Sequence, residues 1–174
     1  DYARTYWWGG TRRNALAHLL TDVGADPFTA AEHPEILDLL MVVWNKVYRR
    51  DFVEENGFAF PPGYYEDTPW TFPVMLSARR IATLDRICLN YRQRRQGNIL
   101  STTSRKHFDI HDQYARVFAF VDDRPELAGW RPVCTARWAS TVWTSSPSRT
   151  GCRRPTRASS SAARSRCSAP TGPR

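Results

Sequence analysis

The chain has 174 residues, enough for one domain, and a formal net charge of +8. That charge is not spread evenly: residues 1–130 carry 16 Lys and Arg against 17 Asp and Glu, whereas residues 131–174 carry nine Arg, no Lys and no acidic residue. The longest apolar run, residues 39–44, is too short to cross a bilayer, and the opening Asp1-Tyr2-Ala3-Arg4 is not the charged start of a secretory leader.

In chain order, residues 1–8 read as the end of a strand, rich in Tyr, Trp and Thr, before a Gly9-Gly10 turn. Residues 13–23 form a short helical candidate stopped by Gly24. Thr29-Ala30-Ala31-Glu32 has the form of a capping box and predicts a helix over about residues 30–40, although Pro34 falls in its first turns. Residues 50–56 make a second short helix with Gly57 as its stop. After the Pro61-Pro62-Gly63 breaker, Thr68-Pro69 starts a third helix reaching residue 79, with Pro73 inside it. Short strands over 81–84 and 87–93 flank Asp85-Arg86, and Cys88 reads as a core residue. Residues 107–121 predict the longest amphipathic helix, with Phe108, His111, Tyr114, Val117, Phe118 and Val121 near one face, ended by Asp122-Asp123-Arg124-Pro125.

From about residue 133 no apolar period of 3.6 or 2 is found, and Arg, Ser, Thr, Ala, Pro and Gly dominate. Residues 131–174 are therefore expected to be a disordered Arg/Ser-rich tail, since such a segment buries too little apolar surface to offset its chain entropy. Its composition matches out-of-frame translation of a GC-rich gene, and a frameshift is the preferred explanation over a basic arm for nucleic acid. Cys134, Cys152 and Cys167 lie there without Cys-x-x-Cys spacing, which supports neither a zinc site nor a disulfide framework.

The block with most chemistry is residues 44–69. It runs Trp44-Asn45-Lys46-Val47-Tyr48-Arg49-Arg50-Asp51-Phe52, then a spacer, then Phe60-Pro61-Pro62-Gly63 and the acidic pair Glu66-Asp67 before Thr68-Pro69. An Asp at a helix N-terminus lies among free backbone N–H groups, which are expected to keep it ionised and able to accept a proton. This block resembles the acceptor-side half of family 2 glycosyltransferases with a GT-A fold. The resemblance covers about residues 1–130 and implies an α/β chain: the second half of a Rossmann-like GT-A domain, a piece that begins inside that domain and lacks its nucleotide-binding N-terminal half.

The resemblance further implies that Asp67 is the general base that deprotonates an acceptor hydroxyl, with Glu66 in support, and that transfer from a nucleotide-diphosphate sugar inverts the anomeric carbon. Asn45 and Lys46 brace the floor of the acceptor side in that family; read from the residues alone, they equally satisfy buried backbone beside Trp44. Trp70, with Tyr64 and Tyr65, is open to two readings, a platform for a sugar or part of the core. Arg92, Arg94 and Arg95, in Tyr91-Arg92-Gln93-Arg94-Arg95-Gln96-Gly97, are candidates to hold the donor diphosphate or border the acceptor, or else a solvated strand edge. A divalent cation, Mg or Mn, is implied as cofactor; His107 is its candidate ligand here, and the bland alternative is that His107 and His111 are surface residues of an amphipathic helix.

The partners implied are the nucleotide-sugar donor, the hydroxyl acceptor and the missing half-domain. A C-terminal CDP-glycerol glycerophosphotransferase module is a further one, since such modules occur together in proteins that make teichoic-acid-like polymers. The alternatives are an accessory module of such a synthase, or a non-enzymatic basic-tailed binding protein; no nucleic-acid partner is expected. A cytoplasmic location, including the inner face of the membrane, goes with the resemblance.

Overall fold

The computed structural model describes residues 1–6, 9–93 and 104–145, with side chains to residue 143. Strand β1 (Tyr2–Tyr6) lies at the centre of a three-stranded sheet. It pairs antiparallel with β2 (Thr11–Arg13) and parallel with β3 (Leu89–Gln93), so that Ala3 faces Arg13 on one side and Asn90 on the other. Gly9, at φ 85°, makes the turn between β1 and β2. The edge strand β2 is fully exposed and closes with charge: Arg13 pairs with Asp1 at 2.6 Å and with Asp85.

Parallel pairing requires a long crossover. Here it contains α1 (Leu19–Asp22), a 3₁₀ turn over Pro34–Asp38, α2 (Arg50–Glu55) and α3 (Thr68–Ser77). After β3 come a 3₁₀ turn over Arg105–Phe108, α4 (Asp109–Asp122), another over Pro125–Trp130, and α5 (Arg131–Ser145). Helices around a small mixed sheet make this an α/β fold. No helix among the described residues is long and apolar enough to cross a membrane.

Helix α3 is buried nearly all round, from Thr68 and Trp70 to Met75, because it separates two cores. On one side Phe72 packs with Ile110, Tyr114, Val117 and Val121 of α4, with Leu127, and with Cys134 of α5. On the other, Met75 packs with Val23, Phe28, Ile36 and Leu37. The sheet joins this body through Tyr2, whose ring stands edge-on to Trp44 and Tyr91 at 5.3 and 6.4 Å.

Several expectations are corrected. Arg13 belongs to β2, and the α-helical part of 13–23 is confined to Leu19–Asp22. The capping box does form: the Thr29 amide and hydroxyl donate to Glu32 Oε2 at 2.7 and 2.8 Å, and the Glu32 amide donates to Thr29 Oγ1 at 3.3 Å. It closes only a turn, because Pro34 has no N–H to continue a helix, and the chain goes on as a 3₁₀ turn. Residues 81–84 are not a strand beyond a single bridge between Ile81 and Phe28. Cys88 is exposed, since it precedes β3 rather than lying within it.

The expected face of the long helix holds from Tyr114 onward, where Tyr114, Val117 and Val121 are buried and Phe118 packs against them, but not at its start. Phe108 is 68% exposed and His111 is exposed, while Ile110 and Gln113 are buried. Phe108 falls in a 3₁₀ turn before Asp109, outside the α-helical register.

The largest correction concerns residues 131–145, which are helix rather than disordered tail. Cys134 is wholly buried, and Trp138 and Val142, four and eight residues on, pack against the same core. The segment is held by its partners: Arg131 pairs with Asp122 at 3.0 Å and lies over the Phe118 ring, and Arg137 pairs with Asp38. The remainder of the expected tail, 146–174, lies outside the described residues.

Candidate functional site

The acidic pair is presented by a turn that α4 holds from outside. Gly63 takes φ 109°, and a Cβ there would come within 3.0 Å of Asp109 Oδ2 and Gln113 Nε2. Only glycine fits both the conformation and the space. Next to it, the Tyr64 amide donates to Asp109 Oδ2 at 2.9 Å. Gln113 Nε2 donates to the carbonyls of Pro62 and Tyr64 at 2.9 and 3.2 Å. Tyr65 then adopts φ 62°, the left-handed region that is unusual for a residue with a bulky side chain. Its hydroxyl is hydrogen-bonded to His107 Nδ1 at 2.7 Å.

This turn leaves Glu66 exposed and Asp67 half-buried at the start of α3. Asp67 makes no side-chain capping bond. Burial pushes its carboxyl up to about 6, with the like charge of Glu66 adding to the rise; backbone amides and Lys46 pull the other way. Asp67 is still ionised near neutral pH, as the helix start leads one to expect, but it holds a proton more readily than an ordinary Asp. Desolvation outweighs the terminal amides, because the carboxylate sits beside the packed face of α3 rather than in water.

The charge of Lys46 acts on Asp67, and burial pulls the Lys46 ammonium down to about 8 against the favourable charge of Asp67. Its Nζ donates to the carbonyls of Leu40 and Val42 at 3.1 and 2.9 Å and to Asn45 Oδ1 at 2.8 Å. Asn45 Nδ2 donates to Leu40 as well. Three donors on three oxygens use the capacity of the ammonium, so Lys46 ties down the loop over 40–46 and acts on Asp67 through space.

Trp70 lies one turn beyond Asp67 and is buried. Phe60 stacks on it at 4.1 Å with 6° between the planes, and Tyr48 and Phe58 stand edge-on to it. One face of Trp70 is therefore covered, and the aromatic surface open to solvent here belongs to Phe60, 49% exposed. The Tyr48 hydroxyl is buried next to Trp70 and Thr71, and burial raises its pKa. The polar atoms of these three side chains lie close together without completing a hydrogen bond of good geometry.

The other predicted residues stand apart from this centre. Arg92 is exposed on β3, in register with Thr5, on the opposite pleat from Tyr91, which packs on Trp44. Arg94 and Arg95 lie outside the described residues. His107 and His111 have separate partners: His107 bonds Tyr65, and His111 Nδ1 accepts from Trp138 Nε1 at 3.4 Å. Among the described residues no group of three or more His, Cys, Asp or Glu is placed to hold a metal ion. The described side chains thus offer no ligand set for the divalent cation that the resemblance implies.

Phe60, Tyr65, Asp109 and Gln113 take parts that their sequence context does not announce. An acid and an amide four apart on a helix is a weak signal, and the left-handed turn at Tyr65 has no signature in residue type. Compared with known proteins, the chain matches no family model, no curated protein and no solved structure.

Proposed function

We propose that this chain is the acceptor-side half of a GT-A glycosyltransferase and that Asp67 is its general base. The observation that carries the reading is Asp67 itself: a half-buried carboxyl pushed up to about 6, on a turn whose geometry is held by another helix. A base of that strength is ionised near neutral pH yet basic enough to take a proton from a hydroxyl as the oxygen becomes a nucleophile.

The step is a single displacement. The acceptor oxygen bonds to the anomeric carbon, the bond from that carbon to the donor diphosphate breaks, and the hydroxyl proton moves to an Asp67 carboxylate oxygen. Attack from the face opposite the leaving group inverts the anomeric centre. A positioned base contributes about 10²- to 10⁴-fold to such a rate. Lys46 moderates the rise in the Asp67 pKa through its charge. No step is assigned to a cation.

The rival reading, a basic arm from residue 131 onward, loses Arg131 and Arg137 to partners within the fold. Arginines used in this way are not displayed for a phosphate backbone.

The test is made in the protein that joins this chain to a nucleotide-binding half. Initial rates of transfer from nucleotide sugars are measured for the wild type, Asp67→Asn and Glu66→Gln, together with donor affinity. Asp67→Asn is expected to lower the rate by at least about 10²-fold with donor affinity retained, and Glu66→Gln by less. The wild-type rate should rise with pH through about 6 as Asp67 loses its proton. A rate for Asp67→Asn within a fewfold of wild type overturns the proposal.

A further inference from the structure

We infer that His107 is a positioning residue, which acts through the Tyr65 hydroxyl to hold the turn that presents Glu66-Asp67. The inference rests on Asp67 as the base, but its readouts are turn geometry and titration, so the two can fail separately.

The turn is a strained object held from one side. Tyr65 at φ 62° occupies a conformation that is strained for a residue with a Cβ, and it persists only where the surroundings enforce it. The hydrogen bonds from side chains to the turn come from one continuous stretch, residues 107–113, and the Tyr65 ring also packs against the core around Phe72. Asp109 takes the Tyr64 amide, Gln113 holds the Pro62 and Tyr64 carbonyls, and His107 holds the Tyr65 hydroxyl. The Tyr64 ring faces the same stretch, edge-on to His107 at 5.8 Å and beneath Lys106 at 5.5 Å.

These contacts differ in what they control. Asp109 and Gln113 lie on α4 and fix residues 62–64, before the strained residue. His107 lies in the preceding 3₁₀ turn and is bonded to Tyr65 itself, two residues from Asp67. Beyond that point the chain is next held by the Thr68 amide, which donates to the Tyr65 carbonyl at 3.0 Å. The side chain of Tyr65 is thus pinned by His107 and its backbone by α3, with Glu66 and Asp67 between the two.

With the hydroxyl contact removed, Tyr65 can relax toward negative φ. The next peptide then rotates and Asp67 swings toward water. A carboxyl that is high through burial falls toward its ordinary range when it becomes solvated.

The experiment uses the full chain in four variants: Tyr65→Phe, His107→Phe, His107→Asn and Leu127→Ala. Asn places an amide oxygen or nitrogen near the position of the ring Nδ1, so it can keep the bond to Tyr65, whereas Phe cannot. Leu127→Ala opens the core beside α4 while keeping every hydrogen-bonding group of the turn, and controls for general destabilisation. The readouts are the carboxyl titration of Asp67 by carbon NMR and hydrogen exchange of the Tyr64 amide.

Tyr65→Phe and His107→Phe should lower the Asp67 midpoint by about one pH unit and speed Tyr64 exchange by roughly tenfold or more. His107→Asn should keep both near wild type, and Leu127→Ala should leave the midpoint in place. Should His107→Phe fail to fold, Tyr65→Phe carries the test, because it removes a single oxygen. An Asp67 midpoint unmoved in Tyr65→Phe, or moved equally by Leu127→Ala, overturns the inference.

Discussion

Asp67 and Lys46 are both carried in the fold at a cost to their charged forms, which makes stability depend on pH. Asp67 titrates at about 6 in the fold against 3.8 for an ordinary Asp, so the folded state holds its proton more tightly than the unfolded chain does. The contribution of such a group is present in full below about pH 4 and is lost as pH rises through about 6. Asn is uncharged throughout and has nearly the same shape. Melting curves of wild type and Asp67→Asn between pH 4 and pH 7 should therefore diverge, with the Asn variant gaining relative stability as pH rises. Parallel curves would mean that Asp67 is solvated in solution and that its burial contributes nothing. Lys46 has the mirror relation: its folded value, about 8, lies below the usual 10.5, so its cost is present at neutral pH and fades as it deprotonates.

At the scale of elements, α5 shows how a helix can be stable with a weak apolar stripe. Cys134, Trp138 and Val142 recur every four residues on one side, and apart from Pro132, Val133 and Trp143 the rest of the helix is Arg, Thr, Ser and Ala. The burial is modest and is supplemented by pairs to other elements, Arg131 with Asp122 and Arg137 with Asp38, and by the Trp138 indole donating to His111. The Cys134 thiol is pushed up to about 11 by burial, so it behaves as a small core residue and not as a nucleophile. Limited trypsin digestion distinguishes this helix from a loose tail. Cleavage after Arg137 should be slow in the wild type and fast in Trp138→Ala, which removes the largest side chain of the stripe; Arg131 precedes Pro132 and is not a trypsin site. Rapid cleavage after Arg137 in the wild type would show that α5 does not stay docked.

For the whole molecule, one junction couples parts that are far apart in sequence. Tyr2, 2% exposed, brings together the start of the chain, the loop carrying Trp44 and the strand carrying Tyr91. The same loop is tied by Lys46, which senses Asp67. Tyr2→Ala should cost about 3–5 kcal/mol in denaturant unfolding and weaken all described parts together. A loss confined to the sheet, with the α3–α4 core melting unchanged, would mean that the two fold independently. Parallel pairing of β1 with β3 across more than eighty residues also makes folding depend on non-local contacts.

Local chemistry was enough to read α2 with its stop at Gly57, the start of α3 at Thr68-Pro69, the strand before Gly9-Gly10 and the breaker before Glu66-Asp67. In each case the signal is a residue with a backbone preference of its own, a Pro that fixes φ at a helix start or a Gly that is free to take positive φ, so it needs no tertiary partner. The capping box at Thr29 was equally legible, but the length of its helix was not, because Pro34 cuts off further α-helical turns. Tertiary structure decided the rest. Whether Asp67 is solvated or half-buried depends on α3 lying between two cores. The left-handed Tyr65 is bonded through its hydroxyl to His107, forty-two residues away, and the stripe of Cys134, Trp138 and Val142 on α5 is covered only because the core residues of α4 and Leu127 meet it. Spacing along a chain records what a segment can bury; what it does bury is set by the surface that meets it, and that surface is made by residues distant in sequence.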